Sequence, residues 1–413
     1  MFVGTLVTGM FLSTAPTVTA DGENWWNASW GSRTLITIDN SFVGDTLYDF
    51  PIFLRIWEND TLSSSIQDDG DDIVFIDFTD NSTQFAHEIE YFNDDATYVN
   101  TSLWVNVSEV SSSAPTKIWM YYDNAGCSAQ QNRTGTWNAS KYYSVYHFYD
   151  HNDSTKHYRN LTLANGTEAY ELGDMGMSAV FDGLTYYNVT NYCNYFSLNC
   201  VYNSSTDSTD SQYIMMKTNG IAYDWYINPT YNTRTEFRFN CKNSGENWID
   251  TSYVHPTDTY EYLTLVTRDG STAQLWQSPD TITGDTVQFT VMPNHNANLG
   301  IGGRDYSTSS FLIGNIEEIQ FMNTTVITSS ESQTTRDFFN QSTGLITLGA
   351  QETRDTSTTV ENSVPVPSNG ATGQERNPTL NITINCNNKK WMNQTFWTNA
   401  SGSWHRYISI TIP

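Results

Sequence analysis

Basic residues are scarce in this sequence. Lys and Arg together number 19, against 45 Asp and Glu, and the formal net charge is −26. A surface with this balance repels nucleic acid and anionic lipid, so we expect neither as a partner. The same balance suits cation binding or simple solubility.

Cysteines are also few. The chain has five, and no Cys-x-x-Cys occurs, so a structural zinc site of that type is not expected. An odd number leaves at least one cysteine without an intramolecular partner. Cys193, Cys200 and Cys241 lie in one region, and the sequence predicts a disulfide between two of these three if the chain is extracellular.

The usual catalytic motifs are missing. Gly-x-Ser-x-Gly does not occur, and the segment HEIEY places Tyr91 where a zinc protease needs its second histidine. Glu317 and Glu318 are adjacent, and neighbouring residues of a strand point to opposite faces. They therefore should not form the close carboxylate pair of a retaining glycoside hydrolase. The sequence predicts a protein that is not an enzyme.

Long apolar runs are absent, which leaves no predicted membrane span. The apolar segment Phe2–Leu12 is too short to cross a bilayer. Val18-Thr19-Ala20 has the small residues of a signal-peptidase site. We interpret residues 1–24 either as an export signal or as a strand donated to another copy of the chain, because the apolar residues also alternate. The predicted location is extracellular or at the cell surface.

Helical periodicity is rare, and short alternating segments dominate instead. Six predicted strands, separated by Gly, Asn, Asp and Ser turns, fall in the first block, residues 25–140. They are Thr34–Ile38, Phe50–Ile56, Ile73–Phe78, Phe85–Phe92, Ser102–Val107 and Lys117–Tyr122. This spacing predicts an all-β fold built from tandem antiparallel β-sandwiches.

The first block has a specific resemblance. Trp25-Trp26 and Trp30 come first, and DDIVFIDFTDNSTQFAHEIEYFN, SLWVNV and KIWMYYDNAG follow in that order. This order resembles the domain-of-unknown-function family 2341, a module of large surface proteins in archaea and bacteria. The resemblance implies a β-sandwich and no established chemistry.

The second block, residues 141–352, contains MSAVFDGLTYYNVT and later ANLGIGGRDYSTSSFLIGNIEEIQFMN. These segments resemble laminin-G-like members of the concanavalin A-like superfamily. That resemblance implies a jelly-roll sandwich, of a kind that often binds glycans or proteins and sometimes uses calcium. Residues 353–366 form a Thr/Ser/Pro-rich linker. Residues 367–413 resemble the first strands of an immunoglobulin-like domain, which needs about seven strands in full.

Asn-x-Ser/Thr sequons are the most prominent feature present. There are 17, and each is an acceptor for an N-linked glycan if the chain is exported. They are Asn27, Asn59, Asn81, Asn100, Asn106, Asn132, Asn138, Asn152, Asn160, Asn165, Asn188, Asn203, Asn323, Asn340, Asn381, Asn393 and Asn399. None falls in residues 204–322, the sequon-free segment. We predict that this segment carries a contact surface.

Two ligand sites are predicted. The acidic loop QDDGDD offers Asp68, Asp69, Asp71 and Asp72 around a glycine, which suits Ca²⁺, although a solvated acidic turn has the same sequence pattern. Trp225 and Tyr187 are candidates for stacking on sugar rings, although core packing is the simpler explanation for most of the aromatic residues in this region.

The predicted function is that of an N-glycosylated structural or adhesive surface protein, whose partners are other copies of itself in a filament or surface layer. The alternative is a lectin-like module that binds surface glycans, with Ca²⁺ as an assisting ion.

Overall fold

The computed structural model describes residues 25–354 and the strands at 392–398 and 405–412. Within the first range it leaves out residues 96, 191–195, 206–211, 219–222, 230–235, 243–245, 255–259, 269–271, 279–282, 289–296, 304–309 and 324–326. The predicted N-terminal segment, nearly all of the predicted linker and most of the immunoglobulin-like segment lie outside the described residues.

Seven strands and two short helices form the first part of the chain. The strands are β1 Ser32–Ile38, β2 Leu47–Asn59, β3 Val74–Asp77, β4 Gln84–Phe85, β5 His87–Asp94, β6 Val99–Val110 and β7 Thr116–Tyr122. The helices are α1 Asp60–Ser63 and α2 Arg133–Thr136, and a 3₁₀ turn spans Asn40–Phe42.

The remaining strands follow with one longer helix. They are β8 Tyr142–Tyr146, β9 Thr162–Asn165, β10 Tyr170–Leu172, β11 Met177–Asp182, β12 Tyr186–Val189, β13 Phe196–Ser204, β14 Met215–Thr218, β15 Tyr223–Asn228, β16 Glu236–Lys242, β17 Glu246–Val254, β18 Glu261–Arg268, β19 Thr272–Ser278, β20 Thr283–Gln288, β21 Asn298–Ile301, β22 Ile313–Asn323, β23 Ile346–Thr353, β24 Met392–Thr398 and β25 His405–Ile412. Helix α3 spans Ser329–Phe339.

Two sheets form the first sandwich. A five-stranded sheet has the order β23-β1-β7-β3-β4, and a three-stranded sheet has the order β2-β6-β5. Alternating apolar residues of both sheets, such as Ile36, Ile52 and Phe75, are buried in one core. The predicted strands of this region and the all-β antiparallel fold class are confirmed. They could be predicted because successive side chains of a strand point to opposite faces, so a half-buried strand alternates apolar and polar residues.

Strand β23 closes the first sandwich from a distant part of the chain. It pairs antiparallel with β1, with Ser32 opposite Thr353 and Ile38 opposite Ile346. Arg33 and Glu352 form an ion pair of 2.8 Å across this pairing. A strand of the predicted second block, β23, therefore completes a sheet of the first block. The domain boundaries themselves stay a prediction.

Two larger sheets form the second sandwich. One has the order β10-β11-β22-β13-β18-β19-β20, with β8 also paired to β22, and the other has the order β17-β16-β15-β14-β21-β12-β9. Their shared core is aromatic and contains Phe181, Tyr187, Trp225 and Phe321. Strands β24 and β25 pair only with each other among the described residues, so the immunoglobulin-like assignment stays a prediction.

The three-stranded sheet lies between the first sandwich's other sheet and the second sandwich. On β5, the ring of His87 packs 5.3 Å from Phe75 of the five-stranded sheet. The next side chain, Glu88, points the other way and contacts His147, beside the second sandwich. Both faces of this sheet are therefore covered at the start of β5.

Helix α3 packs into the same region with Phe338 and Phe339. This helix was not predicted from the sequence, because eight of its eleven residues are Ser, Thr, Glu, Gln or Asp, and its apolar stripe is only two residues wide. Its N-cap is Thr328, whose side chain accepts a hydrogen bond from the Glu331 backbone N–H. The helix forms where the hydrophobic surface of β2 and β18 can cover that narrow stripe.

Candidate functional site: a buried carboxylate–histidine cluster

His147, in the turn after β8, is the centre of a polar cluster between the two sandwiches. Its Nδ1 lies 2.6 Å from Glu318 Oε2, and its Nε2 lies 3.3 Å from Glu88 Oε2. The side chains of all three residues are at most 1% exposed. The rings of Trp104 and Trp137 each lie 5.4 Å from the imidazole and enclose it. The cluster is thus held inside an aromatic wall.

Glu88 is the best-anchored carboxylate of the cluster. It accepts hydrogen bonds from Trp137 Nε1 at 2.6 Å and from Ser154 Oγ at 2.8 Å. Arg133 Nε forms an ion pair with it at 2.9 Å. These contacts fix one carboxylate between α2, on one side, and the turn after β8, on the other.

Glu90 and Glu317 are less completely paired. Glu90 Oε2 accepts from Trp104 Nε1 at 2.8 Å, and its other oxygen has no hydrogen-bond partner. Glu317 Oε1 accepts from the backbone N–H of Met175 and, at 2.9 Å, of Gly176, whereas its Oε2 has no partner. Buried carboxylate oxygens without partners are costly, so such groups call for a physical explanation.

The prediction that Glu317 and Glu318 point to opposite faces of a strand is wrong. Opposite β13, Cys200 pairs with Ile319 and Val201 with Glu318, but Tyr202 pairs with Ile316. Glu317 is therefore the extra residue of a β-bulge, which breaks the alternation. Ile316 and Ile319 enter the second sandwich's core, and both glutamates are left on the side away from it, where each is 0% exposed.

The electrostatics of the cluster separate its acids into two kinds. Burial opposes charge on Glu88 and on His147, but their mutual attraction, aided by Glu318 and Arg133, outweighs it. The pKa of Glu88 is lowered, and the pKa of His147 is raised well above its ordinary value. For Glu90, burial prevails and raises the pKa well above its ordinary value. Burial likewise raises the pKa of Glu317 to about 8.

The cluster can hold a proton or a cation, but a substrate cannot reach it from solvent. A general acid or a nucleophile has to reach the reacting atoms of a substrate. Here Glu88, Glu317, Glu318 and His147 are all 1% exposed or less, and apolar rings close the cluster. The geometry therefore suits internal charge pairing or ion binding.

The acidic loop is organised differently. Asp69 Oδ1 accepts from the Asp71 backbone N–H at 3.1 Å, whereas Asp72 is buried and accepts from the backbone N–H groups of Gln67 and Asn124. Across the described residues, the one place where three potential metal-ligating atoms of His, Cys, Asp or Glu lie within 4.8 Å of one another is Glu90, His147 and Glu318. The loop does not gather its carboxylates in this way, and Ca²⁺ binding by it stays a prediction.

Trp225 and Tyr187 lie in the core of the second sandwich. Trp225 is 0% exposed and packs 4.8 Å from Phe196, and Tyr187 is 1% exposed and packs 6.0 Å from Phe181. Stacking on a sugar needs a free ring face. Their placement corrects the prediction that these two rings contact a ligand, because the sheet they belong to turns them inward.

Of the three cysteines in the predicted disulfide, Cys200 on β13 is free and fully buried, so it does not form the bond. Burial raises the pKa of its thiol well above the ordinary value, so it is an unreactive core residue. The pairing that the prediction still allows is Cys193 with Cys241. Cys193 lies outside the described residues, and so does the side chain of Cys241.

Fourteen sequon asparagines have described surroundings, and none of them is buried. In at least four of them the amide nitrogen that would carry the glycan is already a donor. Asn106 Nδ2 donates to the Gly135 carbonyl at 3.5 Å, and Asn138 Nδ2 donates to Asp49 at 3.4 Å. Asn152 Nδ2 donates to Asp150 at 2.7 Å, and Asn165 Nδ2 donates to the Leu184 carbonyl at 2.9 Å. Asn381 and Asn399 lie outside the described residues, as does the side chain of Asn393. Occupancy of the sites stays a prediction.

A cavity of about 360 Å³ opens beside the cluster, between β2, β18 and the end of α3. It is lined by Arg55, Asp174, Met175, Val201, Tyr260, Glu261, Tyr262, Phe339, Asn340 and Gln341. Glu261 Oε2 and Arg55 Nε have no hydrogen-bond partner. Burial raises the pKa of Glu261 to about 8. This cavity could not be predicted from the sequence, because its walls come from five separate segments.

His147, Glu88 and Glu90 were not predicted to form a cluster. Glu88 and His147 are 59 residues apart, and His147 and Glu318 are 171 apart, so no local motif joins them. The one local signal was HEIEY itself, which puts two glutamates on the same face of a predicted strand. Two acids on one face of a buried strand need hydrogen-bond or charge partners. This requirement was the sequence signal that could have indicated the cluster.

Comparison with known proteins identifies part of the first block. The family described as "Domain of unknown function (DUF2341)" matches residues 69–160, which confirms the predicted resemblance over that range. The matched range includes Glu88, Glu90 and His147, but not Glu318. No curated protein matches the chain. Among the described residues, no helix combines the length and apolarity needed to cross a membrane.

Several solved structures are distantly similar. Domain 4 of AbnA, an extracellular GH43 arabinanase of Geobacillus stearothermophilus solved with arabinotriose, is 19% identical with a TM-score of 0.39, and the alignment covers 48% of this chain and 97% of that one. The CBM40 of a Ruminococcus gnavus sialidase, solved with sialyllactose, is 14% identical with a TM-score of 0.28, covering 33% and 80%. The botulinum neurotoxin serotype D binding domain is 10% identical with a TM-score of 0.38, covering 49% and 53%. The laminin-G-like assignment stays a prediction.

Proposed function

We propose that this chain is an N-glycosylated, non-catalytic protein of the cell exterior with a structural or adhesive role, as a self-assembling filament or surface-layer subunit. The observation that carries the proposal is that none of the fourteen sequon asparagines with described surroundings is buried. A glycan can be attached and tolerated only where the asparagine reaches the surface.

The way in which the two sandwiches are joined supports a structural role. Strand β23 returns to β1, and the three-stranded sheet is covered on both faces at the start of β5. Such a joint transmits force through backbone hydrogen bonds and packed side chains. The titratable cluster at the joint is sealed, so it supports adhesion or assembly better than turnover of a substrate.

Two measurements on the full chain, secreted from a glycosylating host, test this proposal. Glycopeptide mass spectrometry should find glycans at exposed sites such as Asn132 and Asn160. Electron microscopy at rising protein concentration should find ordered filaments or sheets. Unmodified sequons would contradict the first part, and dispersed single molecules at every concentration would contradict assembly.

The cavity beside Tyr260 and Glu261 favours a second candidate, a lectin-like module. Its volume of about 360 Å³ falls in the range of small-ligand sites, and its lining combines aromatic rings with polar groups. Tyr260 is only partly buried, and the hydroxyl donates to Ser178 Oγ at 3.1 Å. An aromatic ring beside a carboxyl and a guanidinium group is suited to a saccharide.

A glycan array distinguishes this candidate from the first. The lectin candidate expects binding that is lost in Tyr260→Ala and retained in Tyr158→Ala, an exposed tyrosine outside the cavity. An array without any bound glycan, or equal binding by both variants, would contradict a saccharide site in this cavity.

A further inference from the structure

From the cluster's geometry we infer a buried site for one divalent transition-metal ion, with His147 Nδ1 and the carboxylates of Glu90 and Glu318 as ligands. The ion would join β5 of the first sandwich to β22 of the second and to the turn after β8. The proposal concerns a structural ion, and it is independent of any glycan or assembly.

The donor atoms are already gathered. His147 Nδ1 lies 2.6 Å from Glu318 Oε2 and 3.7 Å from Glu90 Oε2, and the three atoms lie within 4.8 Å of one another. With metal–ligand bonds of about 2.0–2.2 Å, ligand atoms of a tetrahedral ion stand roughly 3.3–3.6 Å apart. The ion therefore fits if the shortest pair opens by somewhat less than about 1 Å. A hydrogen bond closes this pair, and the ion would replace its proton.

The groups around the ligands are those that a metal site requires. A ligating histidine usually donates its other ring N–H to a carboxylate, and His147 Nε2 faces Glu88 Oε2 at 3.3 Å. Glu88 is itself fixed by Trp137 and Arg133, so it can orient the ring and remain outside the ligand set. Ligating carboxylates are also usually hydrogen-bonded, and Glu318 Oε1 accepts from Gln320 Nε2 at 2.9 Å.

A second, independent observation points to a ligand at this position. The side chain of Glu90 is 1% exposed, yet its Oε1 has no hydrogen-bond partner. Its other oxygen, Oε2, belongs to the gathered set and is held by Trp104. A bound cation would satisfy this carboxylate, which is otherwise a buried acid with an unused acceptor.

The ligand chemistry selects the class of ion. One imidazole nitrogen with two carboxylates suits Zn²⁺ or Mn²⁺. Ca²⁺ takes six to eight oxygen ligands, and Mg²⁺ keeps several waters, so a dry site with an imidazole suits neither. The free thiols of Cys127 and Cys200 lie outside the gathered set. Neutral imidazole and two carboxylates would balance the ion's two positive charges.

The test uses the full chain expressed separately in media supplemented with Zn²⁺, Mn²⁺ or Ca²⁺, because a sealed site loads best during folding. Plasma mass spectrometry after desalting should find about one Zn²⁺ or Mn²⁺ per chain and no retained Ca²⁺. His147→Gln and Glu318→Gln should each retain at least about tenfold less metal. Asp68→Asn in the acidic loop and His151→Gln on the surface are matched controls, and they should retain as much as the parent.

X-ray absorption on the metal-loaded parent chain keeps the proposal testable if the buried variants do not fold. The expected spectrum has one imidazole and otherwise oxygen ligands, without sulfur. A parent chain that retains no transition metal, a spectrum without imidazole, or a folded His147→Gln variant with undiminished metal would each overturn the site.

Discussion

The acidic loop at residues 68–72 and the buried cluster around His147 each contain several carboxylates, but solvent reaches mainly the loop. In the loop, Asp68 and Asp69 are exposed and the backbone turns so that side chains accept from neighbouring N–H groups. In the cluster, Glu88 and Glu318 are fully buried and need a histidine, an arginine and tryptophan N–H groups. A carboxylate charge therefore costs little free energy in the loop, where water screens it. In the cluster, where water is excluded, the same charge is costly unless it is paired.

The largest effect should come from removing Glu88. Glu88→Ala leaves Arg133 and His147 without their shared partner, and breaking a buried ion pair costs about 3–5 kcal/mol of unfolding free energy. Urea denaturation followed by tryptophan fluorescence measures the loss. Glu109→Ala, on an exposed position of β6, is the control and should change stability by about 0.5 kcal/mol or less. Equal effects of the two variants would mean that the cluster's burial carries no energetic weight.

A second prediction contrasts the pH dependence of a buried and an exposed acid. Burial raises the pKa of Glu261 to about 8, whereas hydrogen bonds from Thr83 and Ser82 lower the pKa of exposed Asp80 to about 2. The folded state therefore holds a proton on Glu261 that the unfolded state releases above about pH 4.5. The contribution of this proton to the unfolding free energy is fully present below about pH 4.5 and is lost as pH rises through about 8. The unfolding free energy falls by up to about 1.4 kcal/mol per pH unit over this range.

Urea titrations from pH 5 to 8 test this sign. Glu261→Gln should flatten the decline of stability over that range, since an amide cannot lose the proton. The charged and titratable groups beside Glu261 in the cavity are Arg55, Asp174, Tyr260 and Tyr262. Asp80→Asn should change only the region below about pH 4, where the parent loses the stability of its hydrogen-bonded carboxylate. An unchanged slope in Glu261→Gln would show that Glu261 ionises freely in the folded state.

A smaller effect should follow from filling space at the cluster. A methyl group at Gly176 would overlap Glu90 Oε1, and forced overpacking costs about 1–3 kcal/mol. Gly126→Ala is the matched control, because a Cβ there meets nothing within 4 Å. Thermal unfolding of the two variants should show a clear decrease in Tm for Gly176→Ala and almost none for Gly126→Ala. The reverse order would mean that Glu90 moves away at little cost.

The smallest effect should come from the acidic loop. Asp68 is exposed, so Asp68→Asn should change the unfolding free energy by about 0.5 kcal/mol or less. The same variant sharpens the calcium prediction. If the loop binds Ca²⁺, the ion should raise the Tm of the parent and raise it less in Asp68→Asn. A large loss of stability without added calcium would show that the loop is more than a solvated turn.

The strands could be predicted because each is a local pattern. The alternation in Thr34–Ile38 or Lys117–Tyr122 reports a face that is buried, whatever lies opposite. The cluster could not be predicted, because its pairing depends on which strands meet. The bulge at Glu317 is an example, since one extra residue relative to β13 turns an adjacent pair of acids onto one side. The burial of Trp225 likewise depends on the partner sheet and not on its neighbours in sequence.

The pairing of β1 with β23 has a consequence for the time course of folding. Arg33 and Glu352, which pair across these strands, are 319 residues apart. At a synthesis rate of about 5–20 residues per second, β1 waits roughly 15–60 s on the ribosome before β23 exists. During that interval one edge of the five-stranded sheet has unpaired backbone groups, and such edges recruit other strands. The nascent first sandwich is therefore exposed to misassembly until β23 is synthesised, and a chaperone that covers the β1 edge would act during that interval.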